Sequence, residues 1–119
     1  MNNKFHCGID VSKKKLDVVL LKEEKFYYKV FENSNDGVNL LQEWIKNQLG
    51  KDSFVHFCIE ATNVYHELVA FSLLENEKFK VSVVNPRRVK SFSKVLVNTK
   101  NDKVDAKILA LYCKQFEPN

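Results

Sequence analysis

A mixed five-stranded α/β sheet of order 3-2-1-4-5, with helices on both faces, is the fold class that the sequence predicts. Three observations lead to it. Between Phe5 and Glu32, three strand-like runs follow one another across connections too short for a helix, which makes an antiparallel meander. Phe54 to Ile59 is a nearly unbroken apolar run, as expected of a central strand covered on both faces. Beyond it, helical and strand-like stretches alternate, which implies parallel crossover units.

In chain order, Phe5 to Asp10 alternates Phe5, Cys7 and Ile9 against His6, Gly8 and Asp10, the period of a strand that Asp10 ends. Leu16 to Lys22 and Lys25 to Glu32 are the next two strands, joined by Glu23-Glu24 as a hairpin. Ser34 or Asn35 caps a helix whose apolar positions Val38, Leu41, Trp44, Ile45 and Leu49 recur at three and four, and Gly50 ends it. Glu60 closes the fourth strand. A second helix is expected from about Asn63 to Asn76, then a strand from Lys80 to Asn85, and Pro86 opens a third helix. On that helix Arg87, Lys90 and Lys94 fall on one side, with Val89, Phe92 and Leu96 on the other. Val97 to Asn101 is a polar link, and Asp102 begins a last helix with Val104, Ile108, Leu111 and Tyr112 toward the core. Tyr65 and Phe92 are read as core residues.

The chain has 119 residues, 45% hydrophobic and 29% charged, which suits a single globular domain over 1–119 and excludes a disordered composition. No apolar run approaches the ~18 residues of a membrane span, and Met1 is followed by polar residues with no signal-peptide core, so a cytoplasmic location is expected. Cys7, Cys58 and Cys113 are odd in number, distant in sequence and free of C-x-x-C spacing. That argues against a disulfide framework or a zinc knuckle and for reduced core residues. His6, His56 and His66 show no zinc-site spacing with cysteine. There is no internal repeat or low-complexity tract. The ending at Glu117-Pro118-Asn119, directly after an amphipathic helix, suits a domain of a longer protein as well as a natural terminus.

The formal charge is +4, and its distribution is uneven. Residues 1–60 hold nine Lys/Arg against nine Asp/Glu, while residues 61–119 hold ten against six. From Lys78 to Lys107 there are nine basic residues and only two acids, Asp102 and Asp105. Such a basic field attracts a polyanion. Arg87, Arg88, Lys90 and Lys94 form the candidate nucleic-acid stripe, with Lys100 just before the two acids and Lys103 between them as further candidates. Lys13, in the turn Lys13-Lys14-Lys15, is a further candidate phosphate contact, although such a turn also serves as plain solvated surface.

In the predicted sheet, Asp10 and Glu60 stand at the carboxyl ends of neighbouring parallel strands, the edge where open α/β sheets bind ligands. Asp102 and Asp105 are three residues apart and share a face of the last helix. Four carboxylates offer the hard oxygen ligands that magnesium takes, and divalent ions at a phosphodiester activate a nucleophile and steady a leaving oxygen. Another arrangement explains the same residues. Asp102 as N-cap and Asp105 at the third helical position place negative charge at a helix start with no metal.

GIDVSK at the end of the first strand, Glu-Ala-Thr after the fourth, and a late N-x-x-x-D-x-x-D-A together resemble the amino-terminal RuvC-like domain of the DEDD insertion-sequence transposases, relatives of the pilin-gene invertase. The resemblance spans Cys7 through Ala110. It implies a ribonuclease H-like fold, with the DEDD tetrad on Asp10, Glu60, Asp102 and Asp105 binding Mg2+, for which Mn2+ substitutes. It also implies site-specific recombination of DNA guided by a structured RNA, a homo-oligomeric full-length form, and a separate carboxy-terminal serine domain joined by a coiled coil. No serine of this chain matches such a nucleophile, so a fragment of a longer transposase is expected. The competing readings are a stand-alone RuvC-like or ribonuclease H-like nuclease, a small actin-like nucleotide-binding fragment, against which three glycines in the whole chain count, and a non-catalytic nucleic-acid-binding or dimerisation module.

Overall fold

The computed structural model describes residues 4–60, 64–96 and 102–118, with side chains described for all of these except residues 93–96 and 102–104. Strands β1 (Lys4–Val11), β2 (Lys15–Lys22) and β3 (Lys25–Glu32) form the meander. Helix α1 (Asn35–Leu49), strand β4 (Phe54–Glu60), helix α2 (Glu67–Leu74), strand β5 (Phe79–Val84) and helices α3 (Pro86–Leu96) and α4 (Asp102–Phe116) follow. The five strands hydrogen-bond in the order β3-β2-β1-β4-β5. β1 is antiparallel to β2, β2 to β3, and β4 is parallel to both β1 and β5. The expected order is the observed one.

Local chemistry sets the boundaries. Glu23 and Glu24 both take positive φ, 51° and 68°, which is the handedness that a two-residue hairpin needs to match strand twist. Ser34 caps α1 by accepting from the Gly37 N–H at 3.0 Å, and the Gly50 N–H closes the helix on Lys46 O at 2.8 Å. Two expectations shift. The second helix is shorter than Asn63 to Asn76: a 3-10 turn at Val64–His66 precedes α2, and Asn76 folds into a turn in which its Oδ1 accepts from Lys78 N at 2.9 Å. The fifth strand stops at Val84 because Asn85 caps α3, its Oδ1 accepting from Arg87 N at 2.8 Å. Asn63, the Val97–Asn101 link with Lys100, and the side chains of Lys94, Leu96, Asp102, Lys103 and Val104 lie outside what is described.

Alternation along each strand divides the core in two. Cys7, Ile9, Leu16, Val18, Leu20, Phe57 and Ile59 face α1 and α2, meeting Leu41, Ile45 and Leu73. Val19, Leu21, Cys58 and Val84 face α4, meeting Ala106, Ala110, Leu109 and Tyr112. All three cysteines are free and buried, as expected of core residues. Phe92 is half-buried against Tyr112 and Phe116, but Tyr65 is 41% exposed and is not core. Its place in the 3-10 turn, ahead of the packed turns of α2, leaves it on the surface.

α4 lies across β1, β2 and β4, and Gly8 sets how closely. A Cβ on Gly8 would overlap Ala106 O and Ala110 N and approach Leu109 Cβ to 2.7 Å. The other end of α4 is fixed by Glu117, whose Oε2 lies 3.1 Å from Lys4 Nζ and 3.0 Å from His6 Nε2. α4 therefore runs antiparallel to β1, its first turn at the carboxyl end of the strand and its last at the amino end.

Two outcomes follow from this packing. Gly8→Ala forces α4 off the sheet and lowers stability by about 2 kcal/mol or more, read as a lower urea midpoint; an unchanged midpoint contradicts the close approach. His56 is buried under α4, where desolvation, then Lys80, His6 and Lys4, lower its pKa from 6.5 to about 4. The unfolded chain takes up this proton below pH ~6.5 whereas the folded chain resists it until about 4, so stability falls as pH drops through that window. Glu117, drawn down to about 2 by His6 and Lys4, loses its contribution only at lower pH. Urea midpoints measured between pH 7 and 4.5 fall with pH in the wild type and fall less in His56→Gln.

Candidate carboxylate and nucleic-acid site

β1 and β4 run parallel with Gly8 opposite Cys58 and Ile9 opposite Ile59. The next step of that register sets Asp10 beside Glu60, on strands ~4.8 Å apart. Both side chains are on the α4 face, since Gly8 and Cys58, two residues earlier, face α4. Each is partly buried, neither deep in the core nor fully in solvent. The two sequence candidates at strand ends are thus neighbours on one face of one edge.

Asp105, also partly buried, lies in the first turn of α4, one residue before the Ala106 carbonyl that rests on Gly8. Gly8 is two residues from Asp10, so the close approach of helix and strand carries Asp105 to the carboxyl edge. Asp102 opens α4 one turn earlier, and its side chain lies outside the description. Asp10, Glu60 and Asp105 offer only carboxylate oxygen, the donor chemistry that suits Mg2+ or Mn2+.

Among the described residues, the one group of His, Cys, Asp or Glu donors within 4.8 Å of one another is His56, Cys58 and Cys113. Folding brings together two cysteines that are far apart in sequence, yet the group reads as core. His56 Nε2 and Ser82 Oγ are 2.7 Å apart, Cys113 Sγ donates to His56 O at 3.2 Å, and burial pushes the Cys113 thiol up, keeping it protonated.

Sequence reasoning missed Asp17. It is directly opposite Asp10 in the β1–β2 register, on the same face, and only 1% exposed. Its Oδ1 accepts from Tyr28 Oη at 2.5 Å, and its Oδ2 lies 3.3 Å from Lys15 Nζ. The signal in the sequence was a lone acid inside the apolar run Leu16 to Leu21.

The basic candidates gather near the same edge. Lys13 is exposed in the turn that follows β1. Arg87, Arg88 and Lys90 are exposed on α3, while Val89 is buried, as the expected stripe requires. α3 starts just after Val84, which pairs with Glu60, so its amino end is at the carboxyl edge of the sheet. Lys94, Lys100 and Lys103 are not placed, as their side chains lie outside the description.

A family model of DEDD insertion-sequence transposases, described as "Transposase", matches residues 7–118. The pilin gene-inverting protein of Moraxella bovis is 33% identical over 117 residues, covering 98% of this chain and 36% of its own length. The pilin gene-inverting protein of Moraxella lacunata matches to the same extent, 33% over 117 residues. This chain thus spans about a third of the length of the curated relatives it matches. Among solved structures, T. thermophilus RuvC, in complex with a Holliday junction substrate, superposes with a TM-score of 0.59 at 13% identity, over 91% of this chain and 90% of that one. That likeness shows a RuvC-like, ribonuclease H-like fold, in accord with the sheet order. By the match over nearly its whole length, the chain belongs to the DEDD insertion-sequence transposase family.

Proposed function

We propose that the chain is the metal-binding catalytic domain of a site-specific DNA transposase or recombinase, with Asp10, Glu60, Asp102 and Asp105 holding Mg2+. What supports this reading is the parallel register of β1 and β4, which extends past Ile9 and Ile59 toward Asp10 and Glu60, together with the close approach of α4 over Gly8. When bound there, the ion supplies positive charge that polarises a phosphodiester oxygen. Asp10 and Glu60 hold it from the rigid sheet, and Asp105 and Asp102 complete the set from the helix. Arg87, Arg88, Lys90 and Lys94 take the DNA backbone through its phosphates, with Lys13, Lys100 and Lys103 as further contacts. These contacts position the duplex without reading its sequence.

The full-length protein, on this reading, works as a homo-oligomer in the cytoplasm on donor and target DNA chosen by a structured guide RNA. Among the described residues no helix is long and apolar enough to cross a membrane. The Moraxella relatives are longer than this chain, and, as the family resemblance implies, a further serine-bearing domain of the full-length protein performs the covalent attack. Residues 1–119 alone then bind metal and DNA without exchanging strands. A stand-alone nuclease of this fold is the alternative, selected if residues 1–119 by themselves cleave branched DNA or an RNA–DNA hybrid.

Titration calorimetry tests the metal reading: the chain binds Mn2+, and Asp10→Asn weakens binding by at least ~10-fold while leaving the urea midpoint nearly unchanged. Equal Mn2+ affinity in the two proteins rules it out. For the basic stripe, the triple reversal Arg87→Glu, Lys90→Glu and Lys94→Glu abolishes binding to duplex DNA and structured RNA at low salt, followed by fluorescence anisotropy. Undiminished binding removes the stripe from the interface.

A further inference from the structure

A buried acid in the middle of a strand calls for an explanation. Asp17 interrupts an apolar run and is 1% exposed, a placement that is unfavourable unless the carboxylate is partnered. It also stands directly opposite Asp10, and like charges in that position destabilise a sheet. A valine or threonine would fit the strand without either penalty. Departures of this kind concentrate at functional sites.

The partners show what the acid holds. Tyr28 Oη donates to one carboxylate oxygen at 2.5 Å, and Lys15 Nζ lies 3.3 Å from the other. With a partner on each oxygen, Asp17 is an anchor. Lys15 is fixed at its base as well: its N–H donates to Ser12 Oγ at 3.2 Å, and its carbonyl accepts from Ser12 N–H at 3.0 Å. Lys13 and Lys14, just before it, are exposed, whereas Lys15 is held at both ends and still 45% open to solvent. Such a half-exposed ion pair adds little to stability. Its effect is to hold a cation on Asp17, whose Cβ lies ~5 Å from that of the directly opposed Asp10.

We propose that Lys15 is a phosphate contact of the carboxylate site, its ammonium set beside Asp10 by Asp17 and Tyr28 as positioning residues, so that it receives a DNA phosphate at the metal edge. This rests on the reading of the Asp10–Glu60 edge as a metal and DNA site. A DNA backbone approaching several carboxylates is repelled by them, and an ammonium is a compact point charge with several donors suited to one phosphate. Lys15 supplies that charge where the repulsion is greatest.

The test uses residues 1–119, a labelled four-way DNA junction read by anisotropy across a salt series in Mn2+, and Mn2+ calorimetry on each protein. Lys15→Gln and Asp17→Asn each weaken junction binding ~3- to 10-fold and lower the slope of log K against log salt by about one. Lys15→Arg keeps both values near wild type, which a loss of packing alone would not explain. The double variant Lys15→Gln with Asp17→Asn, which leaves no unpaired buried charge, behaves like Lys15→Gln. Intact Mn2+ binding with an unchanged salt slope in Lys15→Gln and in the double variant overturns this inference. Absence of Mn2+ binding in the wild type instead overturns the reading on which it rests.

Discussion

The contact between the bare backbone of Gly8 and the carbonyl of Ala106 governs the arrangement of the rest. With no side chain at Gly8, α4 settles directly on β1, and Ala106, Leu109 and Ala110 are the residues that meet it. This one close approach seals the second core layer and sets the axial position of the helix. Because Glu117 is tied to Lys4 and His6 at the far end, the helix is fixed at two points along β1. Its acidic first turn is thereby delivered to the strand end that carries Asp10. The fold and the site depend on the same contact, and a methyl group there disturbs both.

Electrostatics at that edge run against stability alone. Asp10, Asp17 and Glu60 share one face of adjacent strands, and Asp105 lies in the first turn of α4 on that face. Repulsion of this kind is relieved by a cation, as the Lys15 ammonium 3.3 Å from Asp17 Oδ2 does for that acid, and on the proposed reading a divalent ion would do the same for Asp10 and Glu60. Basic residues near the same edge, Lys13 from the β1–β2 turn, Lys15 from the start of β2, and Arg87 and Arg88 from the start of α3, carry the opposite charge. On the proposed reading, that basic field would draw a polyanion toward the acidic edge.

Much of this was legible from residue order. Strand alternation in Phe5 to Asp10 and the apolar run Phe54 to Ile59 marked strands, and short connections fixed the meander, so the sheet order followed. Ser34, Gly50 and Pro86 marked helix ends because their conformational preferences are local. Where local signals compete, boundaries moved: Asn76 and Asn85 hydrogen-bond neighbouring backbone, which shortened α2 and β5. Tyr65 looked like core by composition alone and proved exposed, because burial depends on which turns pack. Asp17 was passed over for a related reason. Its meaning comes from the cross-strand register with Asp10 and from Tyr28 on a third strand, and neither relation is visible in a linear string.

The account stands on one claim, that Asp10, Glu60 and the acidic first turn of α4 share a divalent ion. Anomalous diffraction from crystals of the chain soaked in Mn2+ tests it most directly. The expected result is a peak within ~2.2 Å of carboxylate oxygens from Asp10 and Glu60, with Asp105 or Asp102 as a further ligand. A peak confined to His56, Cys58 and Cys113, or no peak in crystals where Asp10 and Glu60 are well ordered, would contradict it.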